Sequence, residues 1–117
     1  DTVNSLLDDW RRDGIARFTA CEYDFPVQFA FDLDIEGNWL PMSETSPMVT
    51  GQTRSQDIPK RYRPNGAIYL QKTKTLGVHK TFYIDAKPLL MTIENSIDID
   101  NKFDFEMAAK IMETKGE

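Results

Sequence analysis

The chain has 117 residues, of which 40% are hydrophobic, so it can build one domain with an apolar core and is not a disordered chain. Its formal net charge of -5 argues against nucleic acid or an anionic membrane as a partner. No apolar run is long enough to cross a bilayer and no leader precedes the first helical pattern, so we expect no membrane contact and a cytoplasmic location. The single cysteine, Cys21, cannot form an internal disulfide and is expected to be a small buried thiol.

The first elements are a helix and a strand. Apolar residues recur at helical spacing from Val3 to Trp10, with Thr2 placed as N-cap and Gly14 where the helix should stop. Residues 15–23 are rich in strand-forming side chains, so they predict a strand in the middle of a sheet.

Apolar side chains at every second position over Val27–Ile35 predict a second, half-buried strand. The turn at 36–38 then predicts a hairpin return at Trp39-Leu40-Pro41. Residues 42–59 show no periodicity, and a loop of this length usually serves a function, so we expect a subunit contact or a substrate lid there.

The second half alternates short elements. Asn65-Gly66 predicts a turn before a strand at 67–70, and residues 73–78 predict a short helix. Phe82-Tyr83-Ile84 is either a core strand or a pair of rings that wall a ligand pocket. Short strands are expected at 89–93 and 96–99.

A broad apolar stripe that includes Phe103, Met107 and Ile111 predicts a final helix packed onto a sheet, so the fold class is α/β. His79 has no second ligand at metal-binding spacing and is expected to be a surface imidazole.

The segment Ser96-Ile97-Asp98-Ile99-Asp100 is the strongest candidate for chemistry. In a strand, Ile97 and Ile99 would face a core while Asp98 and Asp100 stand together on the opposite side. Two adjacent carboxylates suit a hard cation such as Mg²⁺. The alternative is that Asp100 only caps the following helix and Asp98 is solvated.

Two motifs resemble a known family. Arg63-Pro64-Asn65-Gly66-Ala67-Ile68-Tyr69, followed about thirty residues later by Ser96-Ile97-Asp98-Ile99-Asp100 and a helix, resembles the C-terminal half of the acylneuraminate cytidylyltransferases. These enzymes join CTP to a nine-carbon acidic sugar and release pyrophosphate. The resemblance implies part of a Rossmann-like, three-layer nucleotidyltransferase fold, with a mixed sheet and a protruding dimerisation arm at about residues 24–60.

The resemblance also implies roles for individual residues. Asp98 and Asp100 match the acidic pair that holds magnesium at the catalytic centre. Asn65 and Tyr69 match positions that line the sugar pocket, and Phe82 with Tyr83 matches an aromatic pair beside it. The implied substrates are CTP and an acidic nonulosonate sugar, and the implied assembly is a homodimer through the arm.

Four arm residues are implied to face the sugar, and some depart from the family pattern. Gln28 stands where the His-Pro-x-Lys pattern has its lysine, and Ser55 stands where sialic acid enzymes have an arginine before Gln56, with Arg54 one residue earlier. A neutral amide cannot give a carboxylate the charge-assisted bond of a lysine. Sialic, legionaminic and pseudaminic acid therefore all stay open as the sugar.

The family's basic, glycine-containing CTP-binding loop has no counterpart among these 117 residues. We therefore expect these residues alone not to turn over CTP. A different class also stays open, a non-catalytic dimerisation or assembly module in which the acidic pair is only a helix cap.

Overall fold

The structure is a computed structural model. It describes the backbone of residues 1–116 and their side chains, except those of Ser55 and Gly116. The chain divides into two compact units, each described here by itself: Asp1–Glu22 together with the chain from Arg63 onward, and Tyr23–Tyr62.

The described chain contains three α-helices and five strands. In chain order the helices are α1 (Thr2–Asp13), α2 (Pro47–Thr50) and α3 (Lys102–Gly116), and the strands are β1 (Arg17–Glu22), β2 (Phe31–Leu33), β3 (Trp39–Pro41), β4 (Tyr62–Leu70) and β5 (Lys87–Met91). Single 3₁₀ turns lie at Val27–Phe29, Ser55–Asp57, Thr73–Thr75 and Glu94–Ser96.

The first unit is built on a mixed three-stranded sheet in the order β4-β1-β5. β1 and β5 are parallel, with Thr19 opposite Leu89 and Cys21 opposite Met91. The mixed architecture of helices and strands confirms the predicted α/β class.

β1 supplies most of the core because it is the central strand. Ala20 and Cys21 are buried, which confirms the expected buried thiol, and Leu6 of α1 is buried as well. Arg17 is also buried, and its guanidinium donates to the Asp13 carboxylate at 2.5 Å, so this buried charge has a partner.

Both ends of α1 are capped. The Asp1 carboxylate accepts from the backbone N–H of Asn4 at 2.8 Å, so the N-cap is Asp1 and the prediction of Thr2 was wrong by one residue. Gly14 has φ 69° and its N–H donates to the Trp10 carbonyl at 2.7 Å, which confirms the predicted stop.

The second unit contains the predicted hairpin. β2 and β3 are antiparallel, with Leu33 opposite Trp39. The Asp34 carboxylate accepts from the backbone N–H groups of Asn38 and Glu36 at 2.9 and 3.0 Å. These hydrogen bonds, with that from Asn38 the largest cause, lower the pKa of Asp34 because they stabilise its charged form.

The long strand predicted over Val27–Ile35 is wrong. Val27–Phe29 forms a 3₁₀ turn and the strand covers only Phe31–Leu33. Leu33 and Ile35 are exposed, so the apolar half of the alternating pattern is not buried within the described chain. Period two favours a strand only where a sheet face is available to cover it. The region from 42 to 59 is irregular as predicted, apart from α2 and a 3₁₀ turn.

Several predicted elements of the second half also differ. β4 runs straight through Asn65-Gly66, where Gly66 has φ 74° and the sequence predicted a turn. The predicted helix at 73–78 is a 3₁₀ turn at Thr73–Thr75, and residues 82–85 form a turn instead of a strand. β5 is Lys87–Met91 instead of 89–93.

The last helix was predicted, but its environment was not. Phe103 and Met112 of α3 are 67% and 73% exposed, so the predicted packing of its apolar face onto the sheet is not what the structure shows.

Among the helices of the described residues, none is long and apolar enough to cross a membrane.

Candidate functional site

The acidic pair lies in the irregular segment between β5 and α3. The predicted strand at 96–99 is wrong, because Glu94–Ser96 is a 3₁₀ turn and residues 97–100 belong to no strand. Ile97 is half-buried, whereas Ile99 is 53% exposed, so only the first isoleucine lies partly in the interior. Strand alternation therefore does not explain how these two acids are arranged.

Both acids are exposed and their carboxylates are available. Within the described part of the structure, neither the Asp98 nor the Asp100 carboxylate accepts a hydrogen bond or forms an ion pair. Asp100 contributes only its backbone N–H, which donates to the Asp104 carboxylate at 3.1 Å. The oxygens of both acids can therefore bind a ligand.

Asn101 caps α3, and Asp100 does not. The side-chain oxygen of Asn101 accepts from the backbone N–H of Asp104 at 2.9 Å, the contact that defines an N-cap. The Asp104 carboxylate in turn accepts from the backbone N–H of Asp100, just before the helix, an arrangement similar to a capping box. The interpretation of Asp100 as a helix cap is therefore wrong.

Asn65 connects the two motifs that carry the family resemblance. Its amide nitrogen donates to the Ser96 hydroxyl at 3.0 Å and contacts the Met91 sulfur at 3.3 Å. Its amide oxygen accepts from the Thr19 hydroxyl at 2.7 Å and from the Ala67 N–H at 3.1 Å. The structure therefore brings Asn65 to the start of the acidic segment, while its contact with a sugar stays a prediction.

Tyr69, Phe82 and Tyr83 form one aromatic cluster. The Tyr69 and Phe82 rings lie 5.0 Å apart, and the Phe82 and Tyr83 rings 6.0 Å. The two tyrosine hydroxyls are 3.0 Å apart, and this hydrogen bond, together with a partial loss of solvent contact, raises the pKa of Tyr83. The three predicted companions lie together, with Tyr69 on β4 and with Phe82 and Tyr83 in the turn at residues 82–85.

Tyr83 of the aromatic cluster and Asn65 contact neighbouring residues of β1. Tyr83 packs on Phe18 at 5.0 Å, whereas Asn65 bonds to Thr19. Phe18 and Thr19 are consecutive in β1, and consecutive strand side chains point to opposite faces. Tyr83 and Asn65 therefore contact β1 side chains that point to opposite faces of the sheet.

The four predicted arm residues all belong to the second unit. The Gln28 amide nitrogen donates to the Pro59 carbonyl at 2.8 Å, so Gln28 ties the two ends of the arm together. Arg54 and Gln56 are exposed. The side chain of Ser55 lies outside the described part of the structure.

The first unit also contains a cleft of about 520 Å³, lined among others by Lys72, His79, Phe82 and Asp85. His79 is exposed, which confirms the predicted surface imidazole, and it lies 3.0 Å from the Asp85 carboxylate. Asp98 does not line this cleft, and neither does Asp100.

The donor chemistry of the acidic pair fits Mg²⁺. This ion is usually held by one or two carboxylates, with substrate phosphates and water completing the shell. Within the described residues no group of three or more His, Cys, Asp or Glu side chains could enclose a metal. Two carboxylates alone suit an ion whose shell is completed by substrate and water, whereas a closed structural site usually has four protein ligands.

Sequence reasoning missed the residues that hold this segment in place. Thr19 and Ser96 are both buried polar residues, but they contact Asn65 from 46 and 31 residues away, and no local pattern indicates such contacts. Asn101 could have been identified, because Asn and Asp are nearly equal as N-caps and both precede the helical pattern.

Comparison with known proteins gives one partial match of note. No protein-family model matches the chain. A CMP-N,N'-diacetyllegionaminic acid synthase of Legionella pneumophila subsp. pneumophila is 41% identical over 58 residues, which are 48% of this chain and 25% of that protein. This similarity supports a relationship to a cytidylyltransferase over a short region.

Proposed function

We propose that this chain is part of a cytidylyltransferase that transfers CMP from CTP to a nine-carbon acidic sugar, with release of pyrophosphate. The observation that carries the proposal is the free acidic pair: Asn101 caps α3, and the carboxylates of Asp98 and Asp100 have no partner across the described residues. Asp100 is therefore not explained by a structural role as helix cap. The partial similarity to the Legionella synthase adds the reaction class.

Asp98 and Asp100 would hold Mg²⁺. When bound there, the ion supplies positive charge beside the phosphate that the sugar hydroxyl attacks. Both carboxylates are exposed and lie two residues apart in the chain, so one cation could bind oxygens from both of them.

The sugar carboxylate needs a cation, and the arm offers Arg54. The side chain of Gln28 cannot act as a cation, and its amide nitrogen is already bonded to the Pro59 carbonyl. Arg54 is exposed and next to the position where the family pattern expects an arginine. In the proposed homodimer through residues 24–60, this arm would reach the partner's sugar.

The proposal is tested by the reaction itself. Because the CTP-binding loop has no counterpart in these residues, the assay uses a protein in which they follow a CTP-binding half. Pyrophosphate release is measured with Mg²⁺, CTP and sialic, legionaminic or pseudaminic acid. We expect release with one of the three sugars, and no release with any of them would contradict the proposal.

An Arg54→Ala variant tests the sugar contact separately. Loss of a charge-assisted bond to the sugar carboxylate should raise KM for the sugar and leave KM for CTP unchanged. The control is Arg11→Ala, since Arg11 lies on α1 and should change neither constant.

A further inference from the structure

Three side chains form a continuous hydrogen-bonded chain from the central strand to the acidic segment. The Thr19 hydroxyl of β1 donates to the Asn65 amide oxygen at 2.7 Å, and the Asn65 amide nitrogen donates to the Ser96 hydroxyl at 3.0 Å. Ser96 in turn donates to the Thr92 carbonyl at 2.7 Å. Thr19 and Ser96 are buried, at 1% and 6% exposure, so water does not compete freely for these bonds.

The hydrogen-bonding capacity of Asn65 is used within the protein. An amide side chain offers two donors and an oxygen with two lone pairs. The Asn65 amide nitrogen donates to Ser96 and Met91, while its oxygen accepts from the Thr19 hydroxyl and the Ala67 N–H. A sugar would have to displace one of these contacts, so the geometry favours a structural link over a direct ligand contact.

This link fixes one end of the acidic segment, and α3 fixes the other. Ser96 lies two residues before Asp98, and two residues of chain span at most about 7 Å. At the other end, the Asn101 side chain accepts from the Asp104 N–H in the first turn of α3, and the Asp104 carboxylate accepts from the Asp100 N–H. Residues 97–100 therefore stretch between two anchors, and the positions of both carboxylates depend on each of them.

We propose that Thr19, Asn65 and Ser96 are positioning residues that set the acidic pair for cation binding, with Asn65 acting through Ser96 instead of contacting the sugar. The inference rests on the proposed function, because it assumes that Asp98 and Asp100 hold the ion. Outer partners of metal ligands typically change metal affinity by about 10 to 100-fold when removed. Ser96 acts through two residues of backbone, so the lower end of that range is expected.

The test measures Mn²⁺, a paramagnetic stand-in for Mg²⁺, bound to the 117-residue chain by electron paramagnetic resonance. We expect Ser96→Ala to weaken Mn²⁺ binding about tenfold, and Ser96→Thr, which keeps the hydroxyl, to restore it to within about twofold. Asn65→Ala should weaken binding to a similar extent with the Ser96 hydroxyl still present. Circular dichroism measures the fraction of each variant that is folded, and the Mn²⁺ affinity is calculated for that folded fraction.

Ser46→Ala is the matched control. Ser46 is also a buried serine, at 3% exposure, and its hydroxyl donates to the Gln28 carbonyl, but it lies in the second unit. The Ser46→Ala variant should be less stable than the wild type but should bind Mn²⁺ with the same affinity. Wild-type affinity in both Ser96→Ala and Asn65→Ala, with Asp98→Asn weakened, would overturn the positioning role and leave the proposed function standing. Unchanged affinity in Asp98→Asn itself would contradict the proposed function.

Discussion

The side-chain oxygen of Asn101 lies 2.9 Å from the backbone nitrogen of Asp104. This contact ends the irregular segment after β5 and starts α3, and it frees Asp100 from the role of cap. Asp100 and Asn101 are adjacent and either residue type is a good N-cap. Because Asn101 takes this role, the carboxylates of both Asp98 and Asp100 stay available.

Removal of the cap should affect the helix, and removal of the neighbouring acid should not. Asn101→Ala should lower the free energy of unfolding by about 1 kcal/mol and reduce helical content, because the Asp104 N–H loses its acceptor. Asp100→Ala should change it by less than about 0.5 kcal/mol, since its carboxylate has no partner in the described chain. Urea unfolding followed by circular dichroism gives both values. A larger loss in Asp100→Ala than in Asn101→Ala would show that Asp100 is the cap.

The ion pair between Asp13 and the buried Arg17 should make stability depend on pH. The hydrogen bond from Arg17, followed by that from the Ile15 N–H, lowers the pKa of Asp13 below the ordinary value of an aspartate. A carboxyl with a depressed pKa stabilises the fold above its unfolded pKa, and this contribution is lost as pH falls through the lowered folded pKa. The urea midpoint should therefore decline in acid below about pH 4.

The variant Asp13→Asn separates this pair from general acid denaturation. It should lower the urea midpoint at neutral pH and flatten the decline in acid, because Arg17 then has no carboxylate. Asp9→Asn is the control, since Asp9 pairs with an exposed arginine, Arg12, and exposed pairs contribute little. Equal effects of the two substitutions would argue against a special role for Asp13.

The exposed hairpin should join two copies of the chain. Ile35 is fully exposed and Trp39 is 45% exposed, and large aromatic and aliphatic side chains are typical anchors of an interface. We expect the chain to sediment as a dimer and Ile35→Lys to shift it to monomer. Leu76→Lys changes an equally apolar, 63% exposed residue of the other unit and should leave the dimer intact. A wild-type chain that sediments only as monomer would contradict dimerisation through the arm.

The sequence was most informative where a single segment determines its own structure. Gly14 ends α1 because a left-handed residue there costs glycine little, and the turn before Trp39 closes with the carboxylate of Asp34. Both features follow from neighbouring residues. The chain order of the helix, the hairpin and the last helix could therefore be predicted.

It was least informative where burial depends on distant residues. The alternation over Val27–Ile35 and the apolar stripe of α3 predicted faces packed on a sheet, yet Leu33 and Phe103 are exposed. For the candidate site, the two motifs and their acids were recognised, but the bond between Asn65 and Ser96 joins residues 31 apart in sequence. Such a contact depends on the register between strands and the following turn, which local patterns do not encode.

The central claim is that Asp98 and Asp100 hold the ion that assists CMP transfer, and the most direct measurement is pyrophosphate release by the Asp98→Asn variant. In a protein that joins these residues to a CTP-binding half, with Mg²⁺, CTP and the accepted sugar, the account predicts that kcat falls by about a hundredfold or more, because charge at the reacting phosphate is lost. Asp8→Asn, a substitution on the exposed surface of α1, should keep the full rate. A wild-type rate in Asp98→Asn would contradict the claim and favour an assembly module without catalytic function.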